Sequence, residues 1–382
     1  FRRSRGLGDV YKRQIQMSKL FYERFINEED ITLFSPHAVP GLYDAFGTDK
    51  FDALYKKYEK DKSIPKKTIA AQELFADLLK ERAETGRIYI MNIDHSNSHS
   101  SFKDKVSMSN LCQEITLPTT PIKGIDDPDG EIALCILSAI NVGAIGNLNE
   151  LETLCDLSVR ALDEIIELQD YPVKAAEVST KSRRSLGIGY IGLAHYLAKN
   201  GVKYSDPKAW ELVDRLSEAF QYYLLRASCD IAEEKGKCSA FDRTKYADGL
   251  LPIDHYKKEV DEIVVHKQRM AWETLRKDIL KYGLRHSTLS AQMPSESSSV
   301  VSNETNGIEP PRALLSIKKS KKGPLKQIVP GYPNLKNAYT LLWDMGSNEG
   351  YIKIVSVMQK YFDQAISGNW SYNPLQFENN EV

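Results

Sequence analysis

The 382-residue sequence contains no apolar run of about 18 residues, so no segment reads as a membrane-spanning helix. Cysteine is scarce. Its five residues are odd in number and fall at no regular spacing, which argues against a secreted disulfide scaffold and for a reducing, cytoplasmic compartment. An excess of charge of either sign is also missing: 51 basic against 52 acidic residues leave a net charge of −1. That balance argues against a protein dedicated to nucleic acid or to a membrane surface. There is no internal repeat and no low-complexity tract, and with 42% hydrophobic and 27% charged residues the chain is not mainly disordered. The start, Phe1-Arg2-Arg3-Ser4-Arg5, is basic but is followed by no apolar signal-peptide core. Residues 1–14 are set aside as a non-native scar, and 15–382 are taken as the part that folds. The end, Asn373–Val382, stops in a polar stretch without a closing element, so the expectation is a piece of a longer protein.

What is present is mostly helical periodicity. Leu148, Leu151, Leu154, Cys155, Leu162, Ile165 and Ile166 mark one apolar face. Asp206 and Pro207 open a longer helix that runs through Trp210, Val213, Leu216, Phe220 and Leu224 to a stop near Gly236. Its Tyr222–Leu225 stretch is apolar nearly all round and is expected to be buried on more than one side. Short runs suited to strands lie between the helices: Arg87–Ile93, Ser109–Leu117, Ile132–Ile140 and Thr288–Met293. Lys60–Lys67 and Pro118–Gly130 read as loops, and Ile317–Val329 as a Lys-rich hairpin around Gly323-Pro324. Strands alternating with helices give an α/β fold with substantial parallel pairing.

Three segments carry candidate chemistry. If Ser109–Ile115 is extended, alternation sets Asn110, Cys112 and Glu114 on one face about 7 Å apart, with Leu111 and Gln113 on the other. A thiol can act as nucleophile or give up a hydrogen atom; a carboxylate can take a proton; an amide can hold an oxygen. Plain packing of a cysteine between two polar residues explains the same pattern, and spacing does not decide between them. Cys135 sits in the apolar run Glu131–Ala139, where inert packing is the default. Met293-Pro294-Ser295-Glu296-Ser297-Ser298-Ser299 leads from an apolar strand into hydroxyls, as a strand–loop–helix anion site would. An ordinary serine-rich helix start looks alike.

Taken together, in this order and spacing, these segments resemble the large catalytic subunit of class I ribonucleoside-diphosphate reductases. The resemblance runs from about residue 15 to the end. It takes in Leu33–His37, Val39–Leu42, Thr85–Ile90, Gly283–Arg285 and Thr305–Arg312 as well. It implies part of a ten-stranded α/β barrel and a radical reaction. In that reaction Cys112 becomes a thiyl radical and abstracts the 3′ hydrogen of a ribonucleotide. Glu114 takes the 3′-hydroxyl proton, Asn110 hydrogen-bonds the ribose, and Cys135 is half of a dithiol. The substrate would lie along Asn110, Leu111, Cys112, Gln113 and Glu114, with Pro294, Ser295, Glu296, Ser297 and Ser298 gripping its diphosphate. The family's radical comes from a small subunit of metal-tyrosyl type, its reductant is thioredoxin or glutaredoxin, and the intact enzyme is a homodimer regulated by ATP and deoxynucleotides. No cofactor or metal is implied in this chain. The partner of Cys135, the effector domains, the paired radical-transfer tyrosines and the C-terminal cysteine pair of the family have no counterparts here, so this piece alone is expected to be inactive.

Competing signals are weaker. Gly187–Gly192 is a formal G-x-G-x-x-G with Asp206 downstream, which raises a nicotinamide dehydrogenase as the rival enzyme. Lys181-Ser182-Arg183-Arg184 before it is no apolar first strand, and close packing at a strand–helix junction is the plainer use. His95 and His99 beside Asp94 lack a third ligand, and Ser96–Ser101 reads as a polar loop. The cluster Lys318, Lys319, Lys321, Lys322 and Lys326 could touch phosphates, but no aromatic residues are interleaved for stacking. Tyr222 and Tyr223 read as core, Cys155 and Cys229 as structural, and Cys238 as a loop residue without a role. A nucleotide-binding, non-catalytic fragment is the remaining alternative.

Overall fold

The computed structural model describes residues 13–85, 88–265, 267–320 and 323–371. It divides into two compact units, Phe1–Pro118 and Thr119–Val382.

In the first unit, strand β1 (Arg13–Met17) pairs in parallel with β4 (Ile88–Asn92). β1 thus includes Arg13 and Gln14, the last two residues of the segment set aside as a scar. Helix α1 (Lys19–Ile26) is N-capped by Ser18, whose Oγ accepts the Phe21 N–H. β2 (Asp30–Phe34) and β3 (Lys66–Ala70) form an antiparallel pair, with α2 (Phe51–Lys60) between them and α3 (Ala71–Thr85) after them. Met17, Leu20, Phe21, Ile31, Phe51 and Tyr55 make the core. Helix α4 (Ile93–His99) takes up His95 and most of the stretch expected as a polar loop. The sequence at Arg87 lies outside the described residues, but the strand expected there is β4.

The second unit is built around a parallel arc. β5 (Ile136–Asn141) pairs with β6 (Leu186–Ile191), and the crossover between them consists of α5 (Glu150–Leu168) and α6 (Lys174–Arg183). Beside β6 runs an extended stretch at 288–292, joined by the bonds Leu186 N to Thr288 O, Ile188 N to Leu289 O and Ala291 N to Ile188 O. A further stretch at 364–367 lies along that one through Gln364 N to Ser290 O and Gln292 N to Ala365 O. Each new strand is therefore added in parallel to the last, as a barrel wall requires. Among the described residues the wall does not close.

Helices cover this arc. α7 (Leu193–Lys199) follows β6 directly, and α8 (Pro207–Lys235) has Asp206 as N-cap, Pro207 at its first position and Gly236 as C-cap, as the sequence indicates. Leu224 and Leu225 are fully buried, whereas Tyr222 and Tyr223 are half-buried, Tyr222 packing edge-on against Trp272 of α9 (Trp272–Tyr282). On α5 the expected face holds at Leu151, Cys155, Leu162 and Ile166, but Ile165 turns outward. The Lys-rich hairpin forms as β7 (Leu315–Ser320) and β8 (Gly323–Ile328). Lys321 and Lys322 and the side chains of Lys318 and Lys319 lie outside the described residues.

Buried ions tie the helices to the wall. Asp163 of α5 meets Arg184, Arg285 and His286, and Asp214 of α8 meets Lys360, Arg269 and the Tyr361 hydroxyl. Asp363 accepts the backbone N–H groups of Leu289 and Ser290 and the Tyr246 hydroxyl. That carboxylate fixes the third strand, whose end enters the Pro294–Ser298 segment.

Candidate active site

Ser109–Leu117 is not a strand. It bends at Asn110–Gln113, with Gln113 N bonded to Asn110 O and Asn110 N bonded to Ile115 O. Gln113 takes the left-handed backbone (φ 69°), a conformation that costs a non-glycine residue on the order of 1–3 kcal/mol. The Asn110 side chain holds the bend together. Its Oδ1 accepts the Ile115 N–H at 3.1 Å and its Nδ2 donates to Glu114 Oε1 at 2.7 Å. The amide and carboxylate expected to share one strand face are instead brought into direct contact by a turn. The approach to the bend is secured by β1: Gln14 Nε2 donates to Ser109 Oγ at 2.7 Å, and Gln16 Nε2 to Ser107 O. These two glutamines lie outside the sequence-based site. Their i, i+2 spacing along a strand was the one available signal.

The electrostatics of the bend are distinctive. Burial pushes the Cys112 thiol up, and the nearby Glu114 charge pushes it further, so the sulfur keeps its hydrogen. Burial likewise raises the Glu114 carboxyl, against the opposing effect of its hydrogen bonds. Glu114 is 3% exposed, and its Oε2 has no partner among the described residues. Gln113 Nε2 is also buried without one. Leu111 is partly exposed at the tip of the bend. The arrangement can hold a neutral thiol as a hydrogen-atom donor beside a carboxylate whose raised proton affinity suits it to general-base work.

In the second unit, Cys135 lies just before β5 rather than inside a strand. It is half-buried, and Gln364 Nε2 donates toward its Sγ at 3.8 Å. The other three cysteines differ sharply. Cys155, Cys229 and Cys238 are buried in apolar surroundings, and burial drives the Cys229 thiol up to about 11 and that of Cys238 to about 12.

The Met293–Ser299 segment turns into the short helix α10 (Glu296–Val301). Ser295 is buried and its Oγ bonds Met293 O, while Pro294, Glu296, Ser297 and Ser298 are exposed. No side chain of the N-cap residue satisfies the helix start. A cavity of about 500 Å³ beside Glu296 is also lined by Glu304, Glu309 and Arg312.

The rival signals lose their chemistry. Gly187 and Gly189 lie within β6 and not in a phosphate-facing loop, although β5 and β6 do make a parallel crossover unit. A Cβ on Gly189 would stand 2.6 Å from Ala291 O, and Gly192 (φ 84°) caps α7. The glycines serve close packing. Among the described residues no three His, Cys, Asp or Glu side chains are grouped for a metal, and no helix is long and apolar enough to cross a membrane.

The family described as "Ribonucleotide reductase, barrel domain" matches residues 11–379. The chain is similar to the ribonucleoside-diphosphate reductase subunit alpha of Haemophilus influenzae, at 55% identity over 373 residues. Similarity to the ribonucleoside-diphosphate reductase 1 subunit alpha of Escherichia coli K12 is 54% over 373 residues. Each alignment covers 96% of this chain and 49% of the relative. The corresponding subunit of phage T4 is 41% identical over 378 residues. The chain spans about half the length of the relatives it matches.

Proposed function

Because the chain belongs to the ribonucleotide reductase barrel-domain family, we propose that it supplies the reacting groups of a ribonucleoside-diphosphate reductase alpha subunit. Asn110, Leu111, Cys112, Gln113 and Glu114 line the ribose, and Pro294–Ser298 holds the diphosphate. Cys112, as thiyl radical, takes the 3′ hydrogen atom and becomes a thiol, leaving a carbon radical on the sugar. Glu114 accepts the 3′-hydroxyl proton through its open oxygen, and Asn110 keeps the other oxygen in place. The 2′-hydroxyl leaves as water. A dithiol that includes Cys135 gives up two electrons and two protons and becomes a disulfide. Of the dithiol's two protons one leaves in the water and one is delivered with the electrons to C2′. Return of the proton from Glu114 to the 3′-oxygen and of the hydrogen atom from Cys112 to C3′ restores the radical and closes the balance.

The radical itself is supplied by a partner small subunit of metal-tyrosyl type. Thioredoxin or glutaredoxin reduces the disulfide, and the full-length enzyme is a cytoplasmic dimer controlled by nucleotide effectors. The observation that carries the reading is the Asn110–Glu114 bond beside a thiol held in its protonated form. A proton-retaining sulfur suits hydrogen-atom transfer and is a poor nucleophile.

The test is a chimera joining this chain to the unmatched segments of a full-length alpha relative, mixed with the matching small subunit and a dithiol. Conversion of cytidine diphosphate to its deoxy form is expected, with Cys112→Ser abolishing turnover while sparing diphosphate binding. Substantial turnover in Cys112→Ser would refute the radical assignment. A folded chimera that binds diphosphate but never reduces it would establish the binding-only alternative.

A further inference from the structure

In the second unit the Gln364 side chain reaches across the barrel wall. Gln364 belongs to the outermost stretch of the arc, where its backbone N–H bonds Ser290 O on the neighbouring strand. Its carboxamide reaches past that neighbour to the start of β6, donating from Nε2 to Leu186 O at 2.8 Å. The same Nε2 points toward Cys135 Sγ at 3.8 Å, a separation that the larger radius of sulfur permits. Both hydrogens of the amide nitrogen are thereby used, one on a backbone oxygen and one on the thiol.

Neither end of this contact is loose. The Gln364 backbone carbonyl accepts from Gln359 Nε2 at 2.7 Å, and the preceding residue, Asp363, is fixed through its backbone N–H to Ser290 Oγ and its carboxylate to the third strand. Gln364 itself is 3% exposed. On the other side, the stretch that carries Cys135 is tied at Ile132 N to Ala175 O and at Ile136 N to Ser185 O. Sulfur is a weak acceptor, so this bond adds little to the stability of the fold. Its effect falls on the sulfur instead: a donor aimed at a group that can ionise favours the charged form.

We propose that Gln364 is a positioning residue for Cys135, holding an N–H against its sulfur and so raising the share of reactive thiolate. The inference rests on the reading of Cys135 as half of the reducing dithiol, for which the thiolate is the exchanging species. Leu186 O fixes the amide orientation, and the sulfur receives the remaining hydrogen.

The contact is testable in the 382-residue chain carrying Cys112→Ser, so that Cys135 is the one cysteine that is not fully buried. Alkylation of Cys135 by iodoacetamide is followed by peptide mass spectrometry from pH 6 to 10. Gln364→Met keeps length and volume but removes both donors; Gln364→Asn withdraws the amide by one methylene. In each, alkylation at pH 7 is expected to fall about three- to tenfold, as loss of one hydrogen bond of ordinary net strength would give. The pH–rate curve moves to higher pH while its high-pH plateau stays the same. An unmoved curve in either folded variant overturns the proposal, as does a change in the plateau alone, which reports access and not ionisation. Should both variants unfold, exposing Cys229 and Cys238 to reagent, the Gln364 side-chain amide ¹⁵N resonance of the parent chain decides. It is expected to shift as Cys135 ionises, and constancy through that titration overturns the contact. None of these readings depends on turnover, so failure here is distinct from failure of the chimera.

Discussion

Acid should weaken the second unit through one imidazole. His286 is fully buried between Ser228 Oγ, 2.9 Å from Nδ1, and Asp163 Oδ1, 3.1 Å from Nε2. Burial lowers its pKa to about 4 from the ordinary 6.5; the Asp163 carboxylate pulls the other way, and the Arg184 and Arg285 charges add to the lowering. The imidazole is therefore neutral in the folded protein at a pH where the unfolded chain would protonate it. Between pH 6.5 and 4 the unfolded state binds the extra proton, and stability falls with falling pH by up to about 1.4 kcal/mol per pH unit. Over the whole window the loss is roughly 3 kcal/mol, a large part of a typical domain's 5–15 kcal/mol. Asp163 acts in a different window. Burial opposes its ionisation, but the His286 bond and the Arg184 guanidinium outweigh it and hold the carboxyl well below the usual carboxylate range. Its contribution is present above the unfolded carboxyl pKa and is lost only as pH falls below about 4. All four tryptophans lie in Thr119–Val382, so urea unfolding followed by tryptophan fluorescence reads this unit alone. Measured at pH 7, 6, 5 and 4.5, the parent chain should lose stability more steeply than His286→Gln, and the difference isolates this residue from other titrating groups. Parallel curves for the two proteins would refute the reasoning.

Two further perturbations test how the unit is held. Lys360→Met leaves Asp214 buried beside Arg269 and Tyr361 but without its ammonium partner at 3.2 Å, and should cost about 3–5 kcal/mol in the same urea assay. Loss below 1 kcal/mol would mean that Arg269 alone suffices. Gly192→Ala forces a side chain onto a left-handed backbone (φ 84°) and sets a Cβ 2.8 Å from Gly143 N, so a loss of at least about 1 kcal/mol is expected. A neutral thermal melt would show that the β6–α7 junction can relax.

Much of the architecture could be read in the sequence wherever local signals agreed. Asp206, Pro207 and Gly236 bracket a helix whose ends no tertiary contact has to decide, and Gly323-Pro324 marks its hairpin in the same way. The bend at Asn110–Gln113 could not be read, because alternating polar and apolar residues suit a strand and a folded turn equally. The deciding factor is the Asn110 side chain bonding its own chain five residues on. Cys135 was placed inside a strand for a similar reason: apolar Ile132–Leu134 look like strand residues, yet pairing with β6 begins only at Ile136. Gly187 and Gly189 mimic a nucleotide loop because small residues are needed both where phosphate approaches and where a neighbouring strand does. Gln364 had no signal at all. Its side-chain bonds to Leu186 and Cys135 join residues more than 170 positions apart, and nothing near it in sequence marks it.

The protonated state of Cys112 also bears on chemical wear. Peroxides and electrophiles attack thiolates far faster than thiols, and under the role proposed for Cys112 each such hit on its sulfur would end the working life of the molecule. Burial and the neighbouring Glu114 charge, which keep the hydrogen on this sulfur, slow its reaction with oxidants. The same two features that suit it to give up a hydrogen atom therefore make it durable while idle.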